Sequence, residues 1–379
     1  MRILFNALGI CSSGGITVLD KSLYECSESD ANSYIIICNV SENINTLIDK
    51  YKNKKRFKFK IIENRGFFYR LYYENIVFKK IIKEDKINLI YNFSGSSQRF
   101  LKVNKLVKIQ NLLFFSKNLD YTYFKNNQII LWLKQVYLRR IIFKIMMSES
   151  MSLEIQSYHV EDCINSFLNT SDKNFYIKSD VDIFSNTFLK PKHYDFSKKI
   201  KFLYVVGPHF EYVHKNIQDF IGAMLVLNEN ELDFEINITL TKDQLTKSTL
   251  WNPSLNSRTN FFGYINDQEK MVELFSENTI LISTSIIETL GLHVIEGVKS
   301  GVIVITPNEE YTKAVYGGNV SKYRLFDKNS LVSTIMNIIN FKDSHNERIL
   351  SLQEDLMRIE AGKFSSIVDV FDEVVNVQK

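Results

Sequence analysis

Short apolar runs alternate with longer stretches of helical apolar spacing along almost the whole chain. In the first half, residues 3–8, 34–38, 57–62, 87–92, 107–110 and 152–156 read as strands. Residues 17–26, 68–83, 129–147 and 157–168 read as helices. The strand runs are continuously apolar rather than alternating, as a parallel sheet covered by helices on both faces requires. A polar, proline-containing stretch at 180–199 separates this series from a second one. There the strands are 201–206, 234–239, 260–262, 279–283 and 302–306, and the helices are 215–227, 267–275 and 290–300. Two successive series predict an α/β chain of two Rossmann-like, doubly wound domains, residues 1–190 and 191–350. Ligands are expected in the cleft between them, near the carboxyl ends of the strands. A helical segment follows over 351–379, within a helical stretch at about 344–372, and could cross back over the first domain.

Composition sharpens this picture. The chain has 379 residues, 45% hydrophobic and 24% charged, which is globular and large enough for two cores. No apolar run approaches the roughly 18–20 residues of a spanning helix. Leu8–Cys11 resembles a lipoprotein cleavage box, but the run is short, holds Asn6 and leads into Gly14-Gly15; a first buried strand accounts for it better. Four cysteines without pairing or metal spacing fit a reduced, cytoplasmic protein. The net charge of +4 conceals an asymmetry: residues 1–190 carry +10 and the remainder −6. The positive half expects an anionic partner.

The chemistry concentrates in "SIIETLGLHVIEGVKSGVIVITPN", residues 285–308. A buried strand at 279–283 runs into a helix over 290–300, ended by Gly301 as a C-terminal glycine. The free amides near Thr289, Leu290 and Gly291, at the positive end of the helix dipole, suit a phosphate or another anion. Gly291 permits close approach of a ligand to the backbone. Glu288 precedes the helix and Glu296 lies two turns in, so both could accept bonds from hydroxyls of a sugar and a ribose. A first-turn glutamate that merely complements the dipole is the plain alternative.

This segment resembles the nucleotide-sugar signature of the retaining glycosyltransferase family four, and the resemblance extends over residues 200–340. Glu288, Leu290-Gly291-Leu292, Glu296, Ser300-Gly301 and the strand at 302–306 carry it. "FFGYINDQEKMVELFSENTILISTS" (261–285) is similar to the family's nucleotide-base segment, which implies that Phe262 and Tyr264 flank a base beside Gly263. "KFLYVVGPHFEYVHKNIQDFIGAM" (201–224) is similar to its first strand, loop and helix, which implies that Lys215 contacts the diphosphate. Where members often carry an arginine as second cation, this chain offers His209 and His214. "PNEEYTKAVYGGNVSKYRLFDKNSLVSTI" (307–335) continues the likeness. In the first half, Gly14-Gly15 resembles the family's glycine-rich loop. Gln110-Asn111 stands where many members have a histidine, which leaves Asn111 as an acceptor-side contact. "KSDVD" (178–182) resembles the lead into the linker.

The resemblance implies a GT-B fold and a retaining transfer of a hexose-type sugar from a nucleoside-diphosphate sugar to a saccharide acceptor. Glu288 and Lys215 would be catalytic, and His209, Phe262, Gly263, Tyr264, Thr289, Leu290, Gly291, Leu292 and Glu296 donor-binding. Gly14, Gly15 and Asn111 would lie on the acceptor side. The absence of a DxD-like pair or a His/Cys cluster of ligand spacing predicts neither metal nor other cofactor. "KYKNKKRFKFK" (50–60) and the basic, aromatic helices at 65–83 and 129–147 predict contact with an anionic membrane surface. Peripheral association with the inner face of the cell membrane is then expected, with a lipid-carrier-linked acceptor in O-antigen or capsule assembly. No nucleic-acid-binding module is recognisable, which speaks against nucleic acid as the partner. A non-catalytic nucleotide-sugar or carbohydrate-binding protein of the same fold is the alternative.

Overall fold

The computed structural model describes all residues except 11–12, 64–65, 150, 169, 171, 179, 181–186, 266–267, 342–344, 361–362 and 378–379. The chain divides into two compact units. Unit 1 comprises Met1–Phe115, Ile130–Ile183 and Gly362–Lys379, and unit 2 comprises Ser116–Ile129 and Phe184–Ala361.

Unit 1 is built on seven strands: β1 (Arg2–Asn6), β2 (Ser33–Asn39), β3 (Phe57–Ile62), β4 (Leu89–Asn92), β5 (Asn104–Lys108), β6 (Ser152–Ile155) and β7 (Asn174–Ile177). They pair in the order β3-β2-β1-β4-β5-β6-β7, every pair parallel. Adjacent positions bury to opposite faces. Ile3 and Phe5 pack with Tyr91, Leu106 and Phe371, while Leu4 packs with Ile37, Ile90, Phe78 and Ile81. Helices on both faces are therefore why these strands do not alternate.

The helix expected over 68–83 runs through Phe67–Tyr72, a π-helical turn at Tyr73–Val77, and Phe78–Glu84. The one expected over 129–147 has the same construction, with its π turn at Leu133–Tyr137. β7 has no counterpart in the pattern reading, because its four residues contain the polar Asn174 and offer too short an apolar run.

Unit 2 carries a six-stranded parallel sheet of β8 (Ile200–Tyr204), β9 (Phe234–Ile238), β10 (Thr259–Phe261), β11 (Thr279–Ile282), β12 (Ile303–Pro307) and β13 (Ser321–Tyr323). Its order is β10-β9-β8-β11-β12-β13. Phe202, Ile236, Ile280 and Ile305 form its core with Phe220 and Met224 of helix Ile217–Glu229 and with Leu331 and Ile335 of helix Lys328–Asn340.

The end of the chain is two helices rather than one. His345–Glu360 stays in unit 2, where Gln353 Nε2 donates to the carbonyls of Leu189 and Val298 at 2.9 Å each. Ile367–Val377 belongs to unit 1, burying Ile367, Val370, Phe371 and Val374 in the core around Phe5 and Tyr91. In the "KSDVD" stretch that leads into the linker, Lys178 and Asp180 are fully buried in unit 1, while residues 179, 181 and 182 lie outside the described ones.

Candidate functional site

In each sheet the chain winds outward in two directions from a pair of central strands. In unit 2 those strands are β8 and β11, and the loops after their carboxyl ends meet. A crevice at such a reversal is where open α/β sheets bind ligands. The backbone amide of Ile286 donates to the carbonyl of His214 at 2.8 Å, which locks the two loops together. The Lys215 carbonyl accepts from Tyr204 Oη at 3.2 Å and from Thr284 Oγ1 at 2.8 Å. Lys215 is therefore placed by its backbone as well as its side chain.

The Lys215 residue does not open the helix, as the sequence suggests. It ends a 3-10 turn at Val213–Lys215, Asn216 follows with φ 45°, and the α-helix begins at Ile217. Lys215 Nζ lies 2.7 Å from Glu288 Oε1, so the two residues expected to be catalytic form an ion pair. Burial pushes the Glu288 carboxyl up, but Lys215, His293 and bonds from Lys215 and Ser285 outweigh it and hold it at about 2. Glu288 is an anion throughout the working pH range.

The helix at this mouth starts two residues later than its apolar spacing suggests, at Leu292, and ends at Lys299. Gly291 is its N-cap with φ 57°. Two constraints make glycine necessary there: the left-handed backbone, and Tyr316 Oη, which would lie 2.0 Å from an added Cβ. The first-turn amides without an intrahelical carbonyl are thus those of Leu292 and His293, while Thr289 and Leu290 lie in the preceding loop, Leu290 buried. At the other end Gly301 has φ 76°, with its amide on the Val298 carbonyl and that of Val302 on the Gly297 carbonyl, the glycine stop that the sequence indicates.

Glu296 is mostly buried one helix face away, and burial alone pushes its carboxyl up to about 7. A ligand that donates hydrogen bonds would relieve that cost. Because the folded-state value lies above the ordinary glutamate value of 4.5, the group favours folding at low pH, and this contribution is lost as pH rises towards and through 7. Glu296→Gln is accordingly expected to gain thermal stability over wild type between about pH 5 and 8 and to match it below pH 4. Melting temperatures across that range check this, and a pH-independent difference contradicts it.

Two residues that pattern reasoning passed over complete the site. His293, five positions after Glu288, has Nε2 3.1 Å from Ser283 Oγ, and burial holds its imidazole neutral, down to about 4. Tyr311 Oη donates to the Ser285 carbonyl at 2.6 Å and steadies the loop before Glu288. The only sequence signal for His293 is its place inside the 285–308 segment. Tyr311 and Tyr316 gave none, since an aromatic beyond a strand reads as core.

The other expected donor contacts are placed around β10 and β8. Gly263 has φ 69° and its amide bonds the Leu240 carbonyl at 3.2 Å, with Phe262 and Tyr264 on either side, both exposed. His209 is exposed and stacks on Tyr212, rings 4.8 Å apart and 12° from parallel. His214 is held neutral by burial, at about 4, so it supplies no second cation at neutral pH.

The acceptor-side expectations in unit 1 change more. Gly14 and Gly15 are not a loop but sit in the first turn of helix Ser13–Glu28. Asn111 spends its side-chain oxygen locally, accepting from the Leu113 amide at 2.9 Å. Among the described residues no group of three His, Cys, Asp or Glu could hold a metal ion.

Residues 187–348, all in unit 2, match the family model of glycosyl transferases group 1. No protein of curated function matches the chain in sequence. Solved structures match it over nearly its full length. A sucrose-phosphate synthase from Thermosynechococcus elongatus has a TM-score of 0.64 at 13% identity, covering 100% of both chains. A glycosyltransferase from Rickettsia africae has 0.61 at 13%, covering 99% of this chain and 98% of that one. HepE of Anabaena, in complex with UDP and glucose, has 0.59 at 12%, covering 100% and 99%. At such identities the likeness establishes the fold, two Rossmann-like parallel sheets of the GT-B class.

Proposed function

We propose that this protein is a retaining, metal-independent glycosyltransferase that moves a hexose-type sugar from a nucleoside-diphosphate sugar to a saccharide acceptor. The observation that carries this reading is the Lys215–Glu288 pair at the mouth of helix Leu292–Lys299, beside the amides of Leu292 and His293, which have no intrahelical carbonyl. A diphosphate that displaces Glu288 from Lys215 gains a cation and a dipole-positive helix end together, and frees a carboxylate for the sugar hydroxyls. Lys215 and the amides then stabilise the charge that develops on the leaving diphosphate. The departing phosphate oxygen takes the acceptor proton, and the new bond forms on the face from which the diphosphate leaves. The match of residues 187–348 to group 1 glycosyl transferases, and the UDP and glucose held by HepE on this fold, support the donor class.

The acceptor is lipid-carrier-linked in this reading, and the protein works at the inner face of an anionic membrane in surface-polysaccharide assembly. Residues 129–147 support that part. They expose nine large apolar side chains, Ile130 at 84%, interleaved with exposed Lys134, Arg139 and Lys144 and with no acidic residue. Among the described residues no helix is long and apolar enough to cross a membrane.

The test is release of nucleoside diphosphate from a panel of nucleotide sugars, with and without lipid-linked saccharide in anionic vesicles. Acceptor-dependent release with an unchanged anomeric configuration in the product is expected. Binding without release, lost in Lys215→Ala, would establish the non-catalytic binder instead. Absence of any binding would sink both.

A further inference from the structure

The sheet of unit 1 reverses between β1 and β4 just as that of unit 2 reverses between β8 and β11. Its carboxyl-end loops carry a second cation–carboxylate pair. Arg70 Nε donates to Glu74 Oε1 at 2.9 Å. The π turn at Tyr73–Val77 turns Glu74 inward, where its side chain is 3% exposed. Such single-turn bulges recur at functional sites. Asn6, the last residue of β1, donates to Glu74 Oε1 at 2.9 Å and to Asn92 Oδ1, at the end of β4, at 3.0 Å. Gln98 closes the floor with a mutual amide pair to Asn92.

Above this floor the Arg70 guanidinium is fixed and reachable. Its Nη2 donates to Ser94 Oγ at 2.6 Å and Ser96 Oγ at 2.5 Å, Ser96 Oγ in turn donates to Glu74 Oε1 at 3.1 Å, and the arginine side chain remains 27% exposed. Nη1 lies over exposed Gly9, where φ is 89° and an added Cβ would meet Nη1 at 2.4 Å. Among the described residues Nη1 has no hydrogen-bond acceptor, and Ser97 Oγ, in the same loop, is buried without a partner. Nη1 is thus open to a further partner, and Ser97 Oγ still needs one.

We propose that Arg70, Ser94, Ser96 and Ser97, seated on Glu74, form a subsite for the hydroxyls of a saccharide acceptor. This rests on the transfer reading of the previous section for its ligand class. Glu74 already balances the guanidinium charge, so the site favours a neutral polyol over a phosphate. Nη1 offers a donor to one sugar oxygen, the Ser94 hydroxyl can donate to its neighbour, and Ser96, whose proton lies on Glu74, keeps a lone pair to accept.

Saturation-transfer NMR on the full chain tests this, using methyl gluco-, galacto- and mannopyranosides and, separately, inorganic phosphate. At least one glycoside is expected to bind wild type and to lose about tenfold or more in affinity in Arg70→Lys and in the Ser94→Ala/Ser96→Ala double variant. UDP affinity should be unchanged in both. The serine variant keeps the test open should Arg70→Lys fold poorly. No glycoside binding to wild type, equal binding in the serine variant, or displacement of the glycoside by phosphate would overturn the subsite. Failure of the transfer reading looks different: no nucleotide sugar is bound or cleaved, whatever the glycosides do.

Discussion

Replacing Glu288 by Ala is expected to lower sugar turnover by on the order of a hundredfold or more while leaving nucleotide affinity largely intact. The carboxylate is ionised, held at about 2, and in the free protein its partner is Lys215 Nζ at 2.7 Å. Removing it leaves an unpaired cation at a dipole-positive helix mouth, which still attracts a diphosphate. What is lost is the acceptor that orients the sugar. Lys215→Ala should behave differently and lose nucleotide affinity together with turnover. Donor-release rates and nucleotide titrations on the two variants separate these effects. Unchanged turnover in Glu288→Ala would contradict its sugar-facing role.

The second large effect is expected in the interior of unit 1. Lys21, Glu25, Lys178, Asp180, Lys108 and Glu154 form an alternating chain of charges ending at Tyr91. The separations are 3.7, 3.0, 3.5, 3.0 and 2.6 Å, and Tyr91 Oη donates to Glu154 at 2.5 Å. Three cations face three carboxylates, so the chain is neutral as a whole. It ties helix Ser13–Glu28 to β4, β5, β6 and the end of β7. The amide of Ile367, at the start of the last helix, adds a bond to Glu25 at 2.7 Å.

Lys108→Met would strand Glu154 and Asp180 together without their shared cation, both fully buried. A loss of about 3–5 kcal/mol is expected, because removing one partner of a buried pair leaves an unsolvated charge. The first transition in urea should move accordingly, and a shift below about 1 kcal/mol would contradict the network's role.

Asp180 also gives this chain a pH signature. Burial pushes its carboxyl up, but Lys108 and Lys178 prevail and hold it at about 2, below the ordinary aspartate value of 3.8. A depressed acid adds stability above its unfolded value and loses it as pH falls through the folded one. Asp180→Asn should therefore be the less stable protein at neutral pH, with the difference shrinking between about pH 4 and 2.

Much of the frame was legible in one dimension. Apolar runs marked eleven of the strands, most of them near-continuous because both faces are buried, while β3 shows instead the alternation of Phe57 and Phe59 with Lys58 and Lys60. The two short edge strands β7 and β13 escaped that signal. The 285–308 segment announced its helix mouth through glycines, since only Gly291 and Gly301 suit the left-handed turns at its two ends. Glu288 and Glu296 were nameable from their places before and two turns into the predicted helix, and Lys215 from the resemblance of residues 201–224 to the family's first strand, loop and helix.

Partners were not legible, because they are set by separations that no local pattern encodes. Lys215 and Glu288 stand 73 residues apart in the chain, and Lys108 and Glu154 46 apart. Arg70 and Glu74 are local, but the sequence analysis did not pair them; the structure has Glu74 buried in the π turn. Gly14 and Gly15 read as a loop from their resemblance to the family's glycine-rich loop, whereas the structure has them in the first turn of a helix. The sequence by itself determined the order of strands and helices and where a ligand-bearing helix begins, since burial on both faces and left-handed turns leave marks residue by residue. Tertiary structure alone decided which charges meet, because charge pairing depends on distance in space and is free to draw its members from anywhere along the chain.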